Sequence, residues 1–179
     1  EETSELYLSF TPDVWKRIKM RIGINASKIY DVHTGVGRYT SNLCRSILKM
    51  GSKDDYYLYA PGRMGNVIIT DLETPMVAKH NSTLRILWEQ IVLPIYSRKD
   101  RLDLFHYTDH ALSLFQGTRP IIITVHDIAY VRFPNLLNKS RQLYKKNILK
   151  ISIERADIIV ADSFSTKRDI VEYYGVKEE

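Results

Sequence analysis

The chain has 179 residues, of which 44% are hydrophobic and 26% charged, a composition typical of a globular domain that buries a core. Its formal net charge is +5, yet it has no Lys/Arg run with interleaved aromatics and no helix-turn-helix or RNA-recognition signature, so we expect no nucleic-acid function. No apolar run could cross a bilayer, no signal-peptide core begins the chain, and the one cysteine, Cys44, has no disulfide partner, so we expect a reducing, cytoplasmic setting.

Residues 1–19 precede a second apparent beginning, "MRIGIN", at Met20. Within them, "TPDVWKRIK" is typical of a helix start, since Thr11 can cap the helix and Pro12 suits its first position. We expect residues 1–19 to be an extension or an appended helix, and residues 20–179 to be one domain.

Strand and helix patterns alternate from Met20 onward. Strands are predicted at "RIGIN" and "DYYLYAP", and residues 66–70 and 75–80 are further strand candidates. A helix over residues 36–50 places four apolar residues on one face: Val36, Tyr39, Leu43 and Ile47. Another helix covers residues 83–93, which Pro94 either ends or kinks.

The second half continues the alternation. "DLFHYTD" is a strand that opens into a loop, and "RPIIITVHD" is an almost wholly apolar run, typical of a parallel strand buried on both faces. A helix over 138–154, a strand at "ADIIVADS" and a helix capped by Ser163 or Ser165 follow. The sequence therefore predicts a doubly wound, Rossmann-like α/β domain, with a mainly parallel sheet and helices on both faces.

Polar residues recur where the strands end. In open α/β sheets, ligands collect at the carboxyl ends of the strands. The histidines and aspartates at those ends are His33, His106, Asp109, His110, His126, Asp127 and Asp162. We expect a ligand site at that edge.

The glycine pair in "TGVGRYT" invites a phosphate-binding interpretation. A dinucleotide fingerprint would need a third glycine where Thr40 stands, and no G-K-[ST] follows, so neither a dinucleotide site nor a P-loop is predicted. Gly35 and Gly37 would still let a ligand approach the start of a helix, with Arg38 as a nearby cation. The alternative is a plain glycine-rich connection with a solvated arginine.

His126 and Asp127 follow the most apolar strand. Such a pair is also common in a capped loop with a satisfied histidine. His106 and His110 have only loose metal-ligand spacing, so we expect no metal. No G-x-S-x-G elbow is present, which argues against a serine hydrolase.

Four stretches in order resemble the N-terminal domain of retaining glycosyltransferases of family 4: "GVGRYTSNL", "LRILWEQIVLP" with "DLFHY", "IIITVHDIAYVRFP" and "ADIIVADSFSTKRDI". The resemblance runs from Met20 to about Gly175. It implies one half of a GT-B fold, in which the N-terminal domain holds the acceptor and a C-terminal domain holds the nucleotide sugar. The implied reaction is hexosyl transfer to a glycan or lipid-linked acceptor, with no metal or other cofactor.

The resemblance also implies roles for single residues. Gly35, Gly37 and Arg38 match the loop that approaches the donor diphosphate. His126 and Asp127 match the family's His-Asp pair, with His126 beside the transferred sugar. On the acceptor side, the implied residues are His106, Tyr107, Asp109 and Tyr130. Glu89 matches the motif as well, and we favour a structural role for it.

The residues that bind the donor in this family lie in a C-terminal domain, which these 179 residues do not supply. We therefore expect the chain to need that domain, in cis or in trans, for catalysis. A non-catalytic binding or scaffold module, or a subunit of a two-chain transferase, is the alternative. Helix 138–154 is basic and partly apolar, which suits peripheral contact with an anionic membrane face. A core-packed helix with a solvated basic face is the competing interpretation.

Overall fold

The computed structural model describes residues 19–61, 82–117, 120–133 and 137–177. The helix expected within residues 1–19 and the candidate strands at 66–70 and 75–80 lie outside the described residues.

Five strands form one parallel sheet in the order β2-β1-β3-β4-β5. Every neighbouring pair is parallel, from Arg21 opposite Asp55 at one end to Val125 opposite Ala161 at the other. The predicted parallel α/β sheet is confirmed. The strands are β1 (Arg21–Asn25), β2 (Asp55–Tyr59), β3 (Leu104–Tyr107), β4 (Ile121–Val125) and β5 (Ile158–Ala161).

The helices lie within a few residues of their predicted positions. Ser163, and not Ser165, caps the last helix, since its hydroxyl accepts a hydrogen bond from the backbone N–H of Thr166. The short helix after β4 was not predicted. The helices are α1 (Gly35–Lys49), α2 (Ser82–Leu87), α3 (Leu93–Lys99), α4 (Ala129–Arg132), α5 (Lys139–Arg155) and α6 (Phe164–Tyr174).

The chain does not leave helical structure at Pro94. A π-helical turn, Trp88–Val92, joins α2 to α3, and the N–H of Leu93 bonds to the carbonyl of Trp88, five residues earlier. Pro94 then occupies the first turn of α3, where its missing N–H costs little. Of the two outcomes expected at Pro94, an end to the helix is wrong.

Two hydrophobic clusters lie on opposite faces of the sheet. Successive side chains of β2 point to opposite faces: Leu58 belongs to the cluster beneath α1, whereas Tyr57 and Tyr59 belong to the larger cluster. Cys44 of α1 is fully buried in the first cluster, and burial raises the pKa of its thiol to about 12. Cys44 is therefore a packed, unreactive cysteine.

Helix α5 is held against the larger cluster. Leu149 has no exposed surface and Ile153 is buried, so one face of this helix packs on the core. Leu143 and Tyr144 remain exposed near its basic N-terminal half. Within the described ranges, no helix is both long and apolar enough to traverse a bilayer.

The strand order places a topological switch between β1 and β3. From β1 the chain moves to β2 on one side, and β3 then lies on the other side of β1. In doubly wound sheets, a crevice opens at the carboxyl ends of the strands at such a point. The loops after Asn25 and Tyr107 therefore border the natural ligand position.

Candidate functional site

The loop from β1 to α1 is closed by its own backbone. The N–H of Thr34 bonds to the carbonyl of Asp31 at 2.9 Å, and the Thr34 hydroxyl accepts from the N–H of Gly37 at 3.1 Å. A Cβ on Gly37 would lie 1.9 Å from that same Asp31 oxygen, whereas nothing lies within 4 Å of one on Gly35. Gly37 is thus required by the packing of its own loop, and only Gly35 leaves open space at the helix start.

Arg38 is exposed and attached to the same loop. Its Nε donates to the carbonyl of Val32 at 3.2 Å. The first turn of α1 contains no acidic residue, so the charge there is compatible with an anion.

His126 joins three strand ends. Its Nδ1 lies 2.8 Å from Oδ2 of Asp162, after β5, and its Nε2 lies 2.9 Å from the carbonyl oxygen of Thr108, after β3. Both partners accept hydrogen bonds, so this orientation satisfies both ring nitrogens only when each carries a proton. The ring of Tyr39 meets the imidazole edge-on at 4.9 Å between centroids.

Asp127 is not the partner of His126. Its Oδ1 accepts from the backbone N–H of Ala129 at 2.9 Å and so closes the turn into α4. Its exposed carboxylate shapes the loop after β4. The acidic partner of the imidazole is Asp162, which lies 36 residues further along the chain.

Tyr107 does not face the edge of the sheet. It has no exposed surface and packs in the larger core, where its hydroxyl donates to Gln116 Oε1 at 3.2 Å. The acceptor-side position implied for Tyr107 is wrong, because its side chain lies in the core between the sheet and the helices that cover it.

His106 points to the α1 face of the sheet. Its Nε2 lies 2.9 Å from the Thr124 hydroxyl, which also bonds to the hydroxyl of Tyr39 at 3.1 Å. Burial lowers the pKa of His106 to about 4, so its ring is neutral at pH 7. His106 is a partly buried imidazole that bonds to the neighbouring strand through Thr124.

Asp109 lies at the switch between β1 and β3. One of its oxygens forms an ion pair with Lys28, and the other is 2.7 Å from Nδ1 of His110. Burial alone would raise the pKa of Asp109, but His110 and Lys28 outweigh it and hold that pKa well below its usual range. The carboxylate is therefore ionised and fixed from two sides.

Tyr130 packs beside this pair. Its ring lies 5.4 Å from that of His110. The ammonium of Lys145, on α5, lies 4.9 Å from the centroid of the Tyr130 ring. The hydroxyl oxygen of Tyr130 is buried and has no hydrogen-bond partner in the part of the chain that the structure describes. Tyr130 thus brings the loop after β4 against the loop after β3.

Glu89 ties the π-helical turn to the end of β1. The Ser27 hydroxyl donates to Glu89 Oε1 at 2.5 Å, and Arg85 Nε lies 3.9 Å from the same oxygen. Burial raises the pKa of Glu89, against the opposing effects of Ser27 and Arg85. These contacts fit the structural role favoured for this residue.

Several of these partners could not be paired from the sequence. Asp162 and His110 belong to the polar residues noted at strand ends, but Lys28, Thr108 and Thr124 carried no motif. The signal for pairing His126 with Asp162 is that each directly follows one of two adjacent parallel strands. Over the described ranges, no group of three or more His, Cys, Asp or Glu is arranged to hold a metal ion.

Residues 33–179 match the family described as Glycosyltransferase Family 4. A search of curated proteins returned no match.

We predict that Gly37→Ala destabilises the protein, whereas Gly35→Ala leaves it unchanged within error. The new methyl group on residue 37 would collide with backbone at 1.9 Å, and only displacement of the loop could relieve the collision. Overpacking of this kind costs about 2 kcal/mol or more. Urea unfolding of both variants tests this, and equal stability of the two would contradict it.

We predict that His106 makes the protein less stable in acid. Its pKa is about 4 in the folded state against 6.5 ordinarily, so between these values the unfolded chain takes up a proton that the folded chain does not. Stability is complete above pH 6.5 and falls as the pH falls, by about 2 kcal/mol between pH 7 and pH 5 for this group.

Urea titrations at pH 7 and pH 5 on the parent and on His106→Gln isolate the effect, since all other groups are shared. The parent should lose about 2 kcal/mol more than the variant. A parallel loss in both proteins would show that His106 does not remain neutral.

Proposed function

Because this chain belongs to glycosyltransferase family 4, we propose that it forms the acceptor-side half of an enzyme that transfers a sugar from a nucleotide sugar, with retention of configuration. Its five-stranded parallel sheet with helices is consistent with one half of a GT-B fold. The acceptor class proposed is a glycan or a lipid-linked sugar. Catalysis would require the donor-binding domain, in the same polypeptide or in a second chain.

The observation that carries this proposal is the fixed imidazole of His126 at the crevice. Sugar transfer develops positive charge on the sugar ring and negative charge on the departing diphosphate, and placed dipoles stabilise both. His126 is held by Asp162 and Thr108 at 2.8 and 2.9 Å, and only 12% of its side chain is exposed. The exposed part of this fixed ring is what a sugar bound in the crevice would contact.

The start of α1 suits the diphosphate. Gly35 leaves open space there, Arg38 is exposed, and the helix N-terminus favours an anion. Tyr39, one residue after Arg38, touches the His126 ring, so this end of α1 and the imidazole are neighbours. In this proposal Asp127 shapes the loop and does not contact the sugar.

A lipid-linked acceptor is supported by the exposed surface of α5. Leu143 is 62% exposed there, on a helix with cationic side chains on either side of it in sequence. Apolar and basic groups together suit an anionic lipid surface.

The test is release of nucleoside diphosphate from a panel of nucleotide sugars, with octyl glycosides of common hexoses as acceptors. The protein is the natural polypeptide that contains this sequence, with the 179-residue chain in parallel. We expect release that depends on an acceptor. His126→Ala should lower kcat about 100-fold, since it removes a placed donor of hydrogen bonds.

Lys150→Ala is the matched control. Among the described residues, Lys150 pairs with Glu154 on the exposed surface of α5, and its removal should leave kcat unchanged. If His126→Ala keeps the full rate, the imidazole is not at the reaction centre. If neither polypeptide releases nucleoside diphosphate from any donor, the transferase proposal fails and the binding-module alternative gains.

A further inference from the structure

We propose that His110, oriented by Asp109, binds the acceptor hydroxyl that becomes glycosylated. This inference rests on the proposed function and assigns one of its substrates to a defined residue. Neither the family motif nor the spacing of the sequence selects His110 for this role.

The first support is the hydrogen bond that fixes the ring. Nδ1 of His110 lies 2.7 Å from Asp109 Oδ1, and the backbone N–H of His110 donates to the same oxygen at 2.8 Å. A carboxylate can only accept, so Nδ1 carries the proton. When Nδ1 carries the only proton of the ring, Nε2 presents a lone pair on the side away from Asp109.

The second support is that this lone pair is unused. Among the residues that the structure describes, none forms a hydrogen bond with Nε2 of His110, while 11% of the side chain remains accessible. A ring that only filled space would not need its tautomer set by a buried carboxylate. An imidazole that is fixed through Nδ1, and whose Nε2 has no hydrogen bond among the described residues, can accept a hydrogen bond from a ligand hydroxyl.

The third support is the orphan hydroxyl of Tyr130. The ring of Tyr130 packs on His110 at 5.4 Å, and its buried oxygen has no partner within the described ranges. Burial and then the charge of Asp109 raise the pKa of Tyr130, which places its hydroxyl within reach of that charge and keeps it protonated. A polyhydroxylated ligand beside His110 offers the acceptor that this hydroxyl lacks.

The position agrees with a reaction between two substrates. The carbonyl of Thr108, two residues before His110, holds His126. His126 faces α1 through Tyr39, whereas His110 faces α4 and α5 through Tyr130. The two imidazoles therefore lie on either side of the end of β3. His126 is on the proposed donor side, and His110 is on the proposed acceptor side.

The experiment compares parent, His110→Asn and His110→Gln. Asparagine can still donate to Asp109 from the position of Nδ1 but has no group at the position of Nε2. Glutamine places an amide at the position of Nε2. If His110 has only a structural role, the His110→Asn variant retains it. If Nε2 binds the ligand, the His110→Gln variant retains that binding.

The probes are octyl α- and β-glycosides of common hexoses, and binding to ¹⁵N-labelled protein is followed by NMR. We expect the His110 signals to show a protonated Nδ1, and at least one glycoside to shift its Nε2 signal. His110→Asn should weaken that glycoside at least tenfold, while His110→Gln restores part of the affinity. The unfolding midpoint of His110→Asn should stay near that of the parent.

Transfer assays separate this inference from the proposed function. In the complete enzyme, His110→Asn should raise the acceptor KM at least tenfold and leave the donor KM unchanged. Equal acceptor KM and equal glycoside affinity in parent and His110→Asn would overturn the role of His110 while transfer itself stands. If no glycoside shifts the His110 signals, the inference also fails, and loss of transfer in the parent would remove the proposed function as well.

Discussion

Thr108 is the residue on which the geometry of the crevice depends. Its hydroxyl donates to the carbonyl of Asn25 at 2.8 Å and accepts from the hydroxyl of Thr40 at 3.0 Å, so it joins the end of β1 to α1. Its carbonyl holds Nε2 of His126 at 2.9 Å, beyond β4. Thr108 is 2% exposed, and these bonds are shielded from water. One buried hydroxyl and one carbonyl thus set the spacing of three loops.

Buried charge at this edge needs a function to explain it. Ionised groups are costly to desolvate, and an apolar replacement is often at least as stable. Asp109 and Lys28 are nevertheless only 14% and 18% exposed in their side chains. The pair satisfies one oxygen of Asp109 and leaves the other to orient His110. Such an arrangement is costly for the fold alone and is understandable where an imidazole must be held in one tautomer.

The sequence predicted the scaffold better than the contacts of the site. Strand patterns alternating with helix patterns located β1 to β5, and the almost wholly apolar run of β4 fits a strand buried on both faces. The sequence could not show that Tyr107 is buried. Whether the last residue of a strand is covered depends on how far the helices extend over the sheet. Gly37 correctly indicated that another group approaches the backbone closely, but that group is the carbonyl of Asp31 and not a ligand. To identify Asp162 as the partner of His126, one must know that β4 and β5 are neighbours, and no local sequence pattern shows this.

The order of the strands also explains why donor and acceptor would occupy different sides of the crevice. Helix α1 covers one face of the sheet and reaches His126 through Tyr39, whereas α5 covers the other and reaches Tyr130 through Lys145. A diphosphate drawn to the start of α1 would lie on the first side. An acceptor that brings its own apolar or anionic part would be favoured on the second, where α5 is basic and Leu143 is exposed. The reacting hydroxyl would then meet the sugar at the end of β3, between the two imidazoles.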